Sequence, residues 1–345
     1  MSFSNNSLLM EKNGTGTLIT SSNINATVSC QMTQYGENEK IIMRVYLVVV
    51  FVFAALGNAV NCCILGKKKF QRGGDVFVLS LALSDLIYTI SFPFIFFLRM
   101  SGVQNHHTVY TASKIFIYGS MVVTTYTHAV ISCDRFWAIA KPFQARRITK
   151  TKKLLACSLV WLFGFLFSPL FLLQTAALTT RSQIVQLVRC CIGWVMPLVI
   201  MCVFYIRCAI ALSARNVPSN SGANKRFKDA RKITKMFFVI VLLYCILTMP
   251  IVISLLVRAV DFLVSDFKGI RCGDYSLLMR VLTHLSVFNG CVNPIIYARN
   301  HPDIRRFFKG VFEACFCQHQ SNSLSFHKGA EIRSSSSKES KIQDD

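Results

Sequence analysis

The sequence predicts an all-α membrane protein: a seven-transmembrane helix bundle with a short amphipathic helix after the seventh span. Three observations carry that expectation. Of the 345 residues 53% are hydrophobic and 16% charged, which is too apolar for ordinary soluble domains. The apolar residues gather into segments of about 20 residues or more, the length that crosses a ~30 Å hydrocarbon layer at 1.5 Å per helical residue. The net charge is +22, yet the basic residues sit in short clusters between the apolar segments. That is the pattern of juxtamembrane loops facing an anionic leaflet and not of a basic face that tracks phosphates, so no nucleic-acid partner is expected.

Residues 1–40 are polar and rich in Asn, Ser and Thr, with no basic start leading into an apolar leader. Three glycosylation acceptors fall there, Asn5 (NNS), Asn13 (NGT) and Asn25 (NAT), which mark an extracellular tail exported by the first helix. The bundle is expected over 41–300, with apolar segments at about 43–66, 74–98, 109–139, 154–177, 185–213, 233–260 and 275–298. Seven is odd, so an exported N-terminus requires a cytoplasmic C-terminus. Charge tests this independently: the inner loops carry Lys67–Lys69 with Arg72, Arg146–Lys153 and Lys225–Lys235, whereas the outer loops hold only Arg99, Arg181, Lys268 and Arg271. Both routes give one topology, a multi-pass plasma-membrane protein with its N-terminus outside.

After the seventh span, residues 301–317 read as an amphipathic helix on the membrane surface, with Phe307, Phe308, Val311 and Phe312 on the greasy side and Arg305, Arg306 and Lys309 suited to headgroups. Cys315 and Cys317 are expected palmitoylation sites. The remainder, 318–345, is expected to be a disordered cytoplasmic tail whose serines are kinase targets or merely part of a flexible end. Most of the 14 cysteines lie inside apolar segments, where they act as small packing residues, so the count does not signal a disulfide framework. On the outer side only Cys30 and Cys272 remain, placed to pair and tie the tail to the last outer loop.

Polar groups inside spans stand out because desolvation is costly without a partner or water. Asp85 lies midway along the second segment, with Asn58, Thr124, Asn289 and Asn293 at comparable depth. One carboxylate among neutral oxygens suits sodium, although a hydrogen-bond cluster explains the same residues without an ion. At the inner end of the third segment Asp134 precedes Arg135; the carboxylate can neutralise the guanidinium in a closed state, and an open state would free it for a cytoplasmic partner. Tyr205 and Tyr297 are expected to point hydroxyls toward it. Pro93, Pro169, Pro197, Pro250 and Pro294 each remove a backbone donor and are expected to kink their helices.

These residues resemble the rhodopsin-like (class A) G protein-coupled receptors. The matching stretches are GNAVN (57–61), LALSD (81–85), CDRFWAIAKP (133–142), Trp161, Pro197 with Tyr205, Pro250 and NPIIY (293–297), in family order over about 41–316. The resemblance implies that an extracellular ligand moves the sixth helix outward, opening a cytoplasmic cavity where Arg135 meets a heterotrimeric G protein. Asp134, Arg135, Tyr205, Tyr244, Thr248, Pro250, Asn293, Pro294 and Tyr297 would carry coupling and activation. Arrestin and a receptor kinase are implied as further partners, and the sodium roles fall on Asp85, Thr124, Asn289 and Asn293. No enzymatic activity and no required cofactor are expected.

Several residues depart from the pattern. Tyr110 stands where the third helix usually carries a cysteine, Thr248 replaces a tryptophan two residues before Pro250, Tyr244 replaces a phenylalanine, and Thr125 and His128 occupy positions that normally pack beneath the ligand. Activation coupling is therefore expected to be retuned. The absence of a lysine in the seventh segment excludes a retinal Schiff base, and Ile117 stands where amine receptors carry aspartate.

In the outer half, Lys114, Arg189, Arg258, Arg280 and His284 would favour an anionic ligand if they converge, such as a peptide carboxylate or a small acidic molecule. Long basic side chains near helix ends also snorkel to headgroups. The FPF element at 92–94 resembles that of peptide and chemokine-type receptors. Two alternatives stand beside a signalling receptor: a receptor-like protein that does not signal or is constitutively active, and a transporter, which would show internal repeats or a continuous polar lane.

Overall fold

The computed structural model of the chain describes residues 37–67, 74–100, 107–145, 147–173, 179–214, 221–265 and 272–313. The expectations at Asn5, Asn13, Asn25, Cys30, Cys315 and Cys317 lie outside these residues, as does the side chain of Cys272. The elements are α1 (Glu37–Lys67), α2 (Asp75–Met100), α3 (His107–Ala140), a single turn α4 (Pro142–Ala145), α5 (Lys150–Phe167), α6 (Thr180–Cys190), α7 (Met196–Ser213), α8 (Ser221–Ser265) and α9 (Cys272–Asn300). Residues 302–313 are also helical.

Six helical stretches are long and apolar enough to cross a membrane among the described residues: Asn38–Lys67, Asp75–Ile95, Thr108–Ala140, Lys150–Phe171, Thr180–Ser213 and Phe227–Val264. They match the first six expected segments. The seventh expected segment forms α9, 29 residues long, but Arg280, His284, Asn289 and Asn293 dilute it and it does not join that set.

Burial runs opposite to that of a water-soluble protein. Asn58, Asn61, Ser84, Asp85, Thr125 and His128 are buried, while Phe53, Leu56, Leu155, Leu162, Leu166 and Ile295 face outward. In water such an exterior would aggregate; against hydrocarbon it is the matched surface, and the polar side chains turn inward to find partners.

Helix α3 is central, packing on α2, α5, α7 and α8, while α1 lies against α2 and α9, and α8 against α6 and α9. Two glycines allow the closest approaches. A Cβ on Gly57 of α1 would stand 2.6 Å from the Pro294 Cβ, and one on Gly164 of α5 would stand 2.7 Å from Val123 Cγ2 and 3.0 Å from the Gly119 carbonyl. The Trp161 indole donates to Ser80 at 3.0 Å, and Ser80 bonds Thr127 at 3.2 Å, joining α5, α2 and α3.

The prolines act differently from one another. Pro93, Pro250 and Pro294 lie inside α2, α8 and α9. Pro169 instead sits at the start of a 3-10 turn, Ser168–Phe171, that closes α5. Pro197 is preceded by a π turn, Cys191–Val195, in which the Met196 N–H reaches back to the Cys191 carbonyl; this wide turn absorbs the register change at the missing donor. The basic run Lys225–Lys235, expected as loop, is helical instead: α8 begins at Ser221, about three turns before the apolar segment, because Ala, Lys and Arg favour helix and need no lipid to form it.

Candidate functional site

Three polar regions follow one another along the bundle. The first is at its middle. The Asn293 amide donates to Asp85 at 2.7 Å, joining α9 to α2. Ser84 and Thr124 share a hydrogen bond at 2.8 Å across α2 and α3. The Asn58 amide donates to the Ala54 carbonyl at 2.9 Å and the Gly290 carbonyl at 3.0 Å, fixing α1 on α9. Asp85, Thr124 and Asn289 line a cavity of about 30 Å³ together with Tyr88, Tyr244, Thr248 and Ser286. That volume holds a water-sized group or an ion. Asn289 Oδ1 is buried there with no hydrogen-bond partner, so the cavity offers an uncommitted oxygen beside a carboxylate.

Two of the residues that depart from the family pattern, Tyr244 and Thr248, line this cavity, and Thr125 and His128 lie against Tyr244. The Thr125 hydroxyl bonds that of Tyr244 at 2.5 Å. The His128 ring lies against the Tyr244 ring with centroids 4.8 Å apart. Three of the departing residues, Thr125, His128 and Tyr244, thus meet one another across the α3–α8 contact.

The second region is at the inner end. Arg135 is buried and pairs with Asp134, and its guanidinium lies over the Phe237 ring of α8, 5.4 Å from the centroid. The other Asp134 oxygen takes the Lys153 ammonium at 2.5 Å. Arg135 and Lys153 open onto a cavity of about 500 Å³ lined also by Asp75, Asp229, Lys232, Ile233, Met236, Phe237, His301 and Arg305. The cavity is large enough for several side chains of a partner, with an apolar wall and an excess of cationic groups. Tyr205 and Tyr297 are buried nearby, but neither hydroxyl makes a hydrogen bond.

Sequence reasoning missed two contributors here. Lys153 reads in the sequence as one more juxtamembrane cation of the run Arg146–Lys153, and Asp75 carries no motif that singles it out. The His301 ring nitrogen meets Asp75 at 3.2 Å, both buried. An acid opening α2 and a histidine following α9 were visible in the sequence, but nothing local to either announces the pairing.

The third region is the outer half, where Lys114, Arg189, Arg280 and His284 each take a different partner. Lys114 sits over the Tyr110 ring at 4.5 Å. Arg189 is buried, bonded to Gln186 one turn earlier and lying over Phe171 at 4.8 Å. Arg280 reaches Glu39 of α1 at 3.7 Å. The His284 ring bonds the Arg280 carbonyl at 2.6 Å, and the Tyr46 hydroxyl donates to the His284 carbonyl at 2.7 Å. Arg258 is partly buried in α8. Ile117 is buried in α3.

Residues 57–297 match the family described as 7 transmembrane receptor (rhodopsin family). The chain belongs to that family. The match takes in Asp85 and Asn293 of the middle region and Asp134, Arg135 and Lys153 of the inner one. The receptor is 26% identical over 307 residues to galanin receptor 2a of Danio rerio, covering 81% of this chain and 80% of the relative. It is 28% identical over 272 residues to cysteinyl leukotriene receptor 2 of Sus scrofa, covering 73% and 76%, and 25% identical over 293 residues to human atypical chemokine receptor 4, covering 78% of each. The receptor is therefore a multi-pass membrane protein of a non-enzymatic family that signals through heterotrimeric G proteins.

Proposed function

We propose that the receptor binds an extracellular peptide or small anionic ligand in its outer half and activates a heterotrimeric G protein through the cavity around Arg135. The observation that carries this is the Arg135–Asp134 pair opening onto a cavity of about 500 Å³ at the inner end. A buried guanidinium held by one carboxylate and an aromatic face can exchange them for a partner entering the cavity when the carboxylate it leaves stays compensated. Outward motion of α8 would remove Phe237 from Arg135 and widen the cavity for a Gα helix. On this reading α9 is the seventh span, and helix 302–313 lies on the membrane surface through exposed Phe307, Phe308, Val311 and Phe312.

The ligand class rests on Arg189, a buried cation stacked on Phe171 and held by Gln186. A guanidinium so fixed has little rotamer entropy left to lose on meeting a carboxylate. The relatives named for galanin and for a chemokine favour the peptide branch. Sodium fits the middle cavity, where Asp85, Thr124 and Asn289 offer hard oxygens and Asn293 orients the carboxylate. Bound there, the ion would neutralise Asp85 and hold α2, α3 and α9 in the closed arrangement.

The test is G-protein dissociation in cells expressing the full receptor, alone and with a panel of free-acid peptides, amidated peptides and acidic lipids, against Arg135→Ala at matched surface level. Loss of the signal in Arg135→Ala supports direct coupling; an unchanged signal removes it. Activation by anions that survives joint loss of Arg189 and Lys114 would overturn the ligand reading alone. A non-signalling receptor is the second reading, favoured by the polar Thr125–Tyr244–His128 contact where activation is relayed, and it predicts no dissociation with any ligand.

A further inference from the structure

Asp134 has two cations and not one. One carboxylate oxygen takes Arg135, its neighbour in α3; the other takes the Lys153 ammonium at 2.5 Å from the start of α5. Lys150 and Lys152 in the same turn are exposed, as basic side chains at a membrane edge usually are. The Lys153 side chain is only 12% exposed, and its ammonium lies 5.4 Å from the centre of the Phe77 ring of α2. Packing on a third helix therefore fixes where this cation stands, independently of Arg135.

We propose that Lys153 is the resident counter-ion of Asp134: it keeps the carboxylate paired when Arg135 turns into the inner cavity, and so favours the state that binds a G protein. The inference rests on the coupling reading above. A buried carboxylate with a single partner is stranded when that partner leaves, and an uncompensated buried charge is strongly unfavourable. With Lys153 in place the ion pair persists through the change, and the cost of moving Arg135 falls. Arg135 is the mobile member because its other contact, the Phe237 ring, belongs to α8, whereas Lys153 leans on α2. Lys153 is thus a positioning residue that acts through Asp134.

The test is binding of the purified full-length receptor, in phosphatidylcholine–phosphatidylserine nanodiscs, to nucleotide-free heterotrimers of each Gα class in turn. Lys153→Met keeps the aliphatic stem and removes the charge; it is expected to weaken binding about tenfold, a usual size for one coupled interaction. Lys153→Arg is expected to restore most of the affinity. In an Asp134→Asn background, Lys153→Met is expected to have no further effect, because the charge it served is gone. Weakening of equal size in that background would mean that Lys153 touches the G protein directly or only supports the fold, and the proposal would be wrong. Unchanged or tighter binding by Lys153→Met in the native background would also overturn it. If the unaltered receptor binds no heterotrimer, the coupling reading itself falls, which separates that failure from the failure of the Lys153 role.

Discussion

The hydroxyls of Thr125 in α3 and Tyr244 in α8 meet at 2.5 Å inside the bundle, with the ring of His128 lying against that of Tyr244. This contact links the central helix to α8, the helix that also lays Phe237 against Arg135. Removing either hydroxyl leaves the other buried without that partner, which in a membrane protein costs about 0.6–2 kcal/mol. Thr125→Val and Tyr244→Phe are each expected to lower the thermal midpoint of the receptor in nanodiscs, and the double variant to fall short of the sum of the two. Strict additivity would show that the hydroxyls do not interact.

Gly57 is expected to be intolerant of any side chain. A Cβ there would stand 2.6 Å from Pro294, while one on Gly66 in the same helix meets nothing within 4 Å. Gly57→Ala should cost about 1–3 kcal/mol by pushing α1 off α9. Gly66→Ala should cost nothing or gain up to about 1 kcal/mol of helix propensity. Equal midpoints for the two variants in thermal unfolding would contradict the close approach.

Sodium is expected to raise the thermal midpoint of the receptor relative to an equal concentration of choline, by mass action on the folded state. Asp85→Asn should abolish the difference, since among the described residues the Asp85 carboxylate is the only acidic or basic group lining that cavity. An Asp85→Asn variant that still responds selectively to sodium would place the ion elsewhere.

The His301–Asp75 contact should hold the start of helix 302–313 against α2. His301→Ala and Asp75→Ala are each expected to raise amide exchange over 302–313 by about tenfold, equal to about 1.4 kcal/mol of local protection. The double variant should exchange no faster than either single one. Exchange confined to α2 would mean that the contact does not position that helix.

The first six spans were legible because lipid imposes a crude, long-range rule: about 20 apolar residues in a row. Asp85, Arg135 and Asn293 were legible for the opposite reason, since each breaks that rule at a cost that needs explaining. The extent of α8 was not, because its first three turns are polar and helical propensity alone seldom fixes an end. The five outer cations are legible singly, but nothing along the chain signals that Arg280 reaches Glu39 on α1 or that Arg189 lies on Phe171. Those contacts join residues far apart in the chain.

Residue type and order alone determined that this chain crosses the membrane repeatedly, that its basic loops share one side, and that a carboxylate and an arginine are buried along one path. The tertiary structure decided the partners: Thr125 with Tyr244, Asp75 with His301, and Lys153 with the second oxygen of Asp134. The physical reason is that the hydrophobic rule acts on each helix separately and is readable along the chain, whereas hydrogen bonds and ion pairs act over about 3 Å between helices. Only the packing of α2, α3, α5, α8 and α9 brings those atoms within reach.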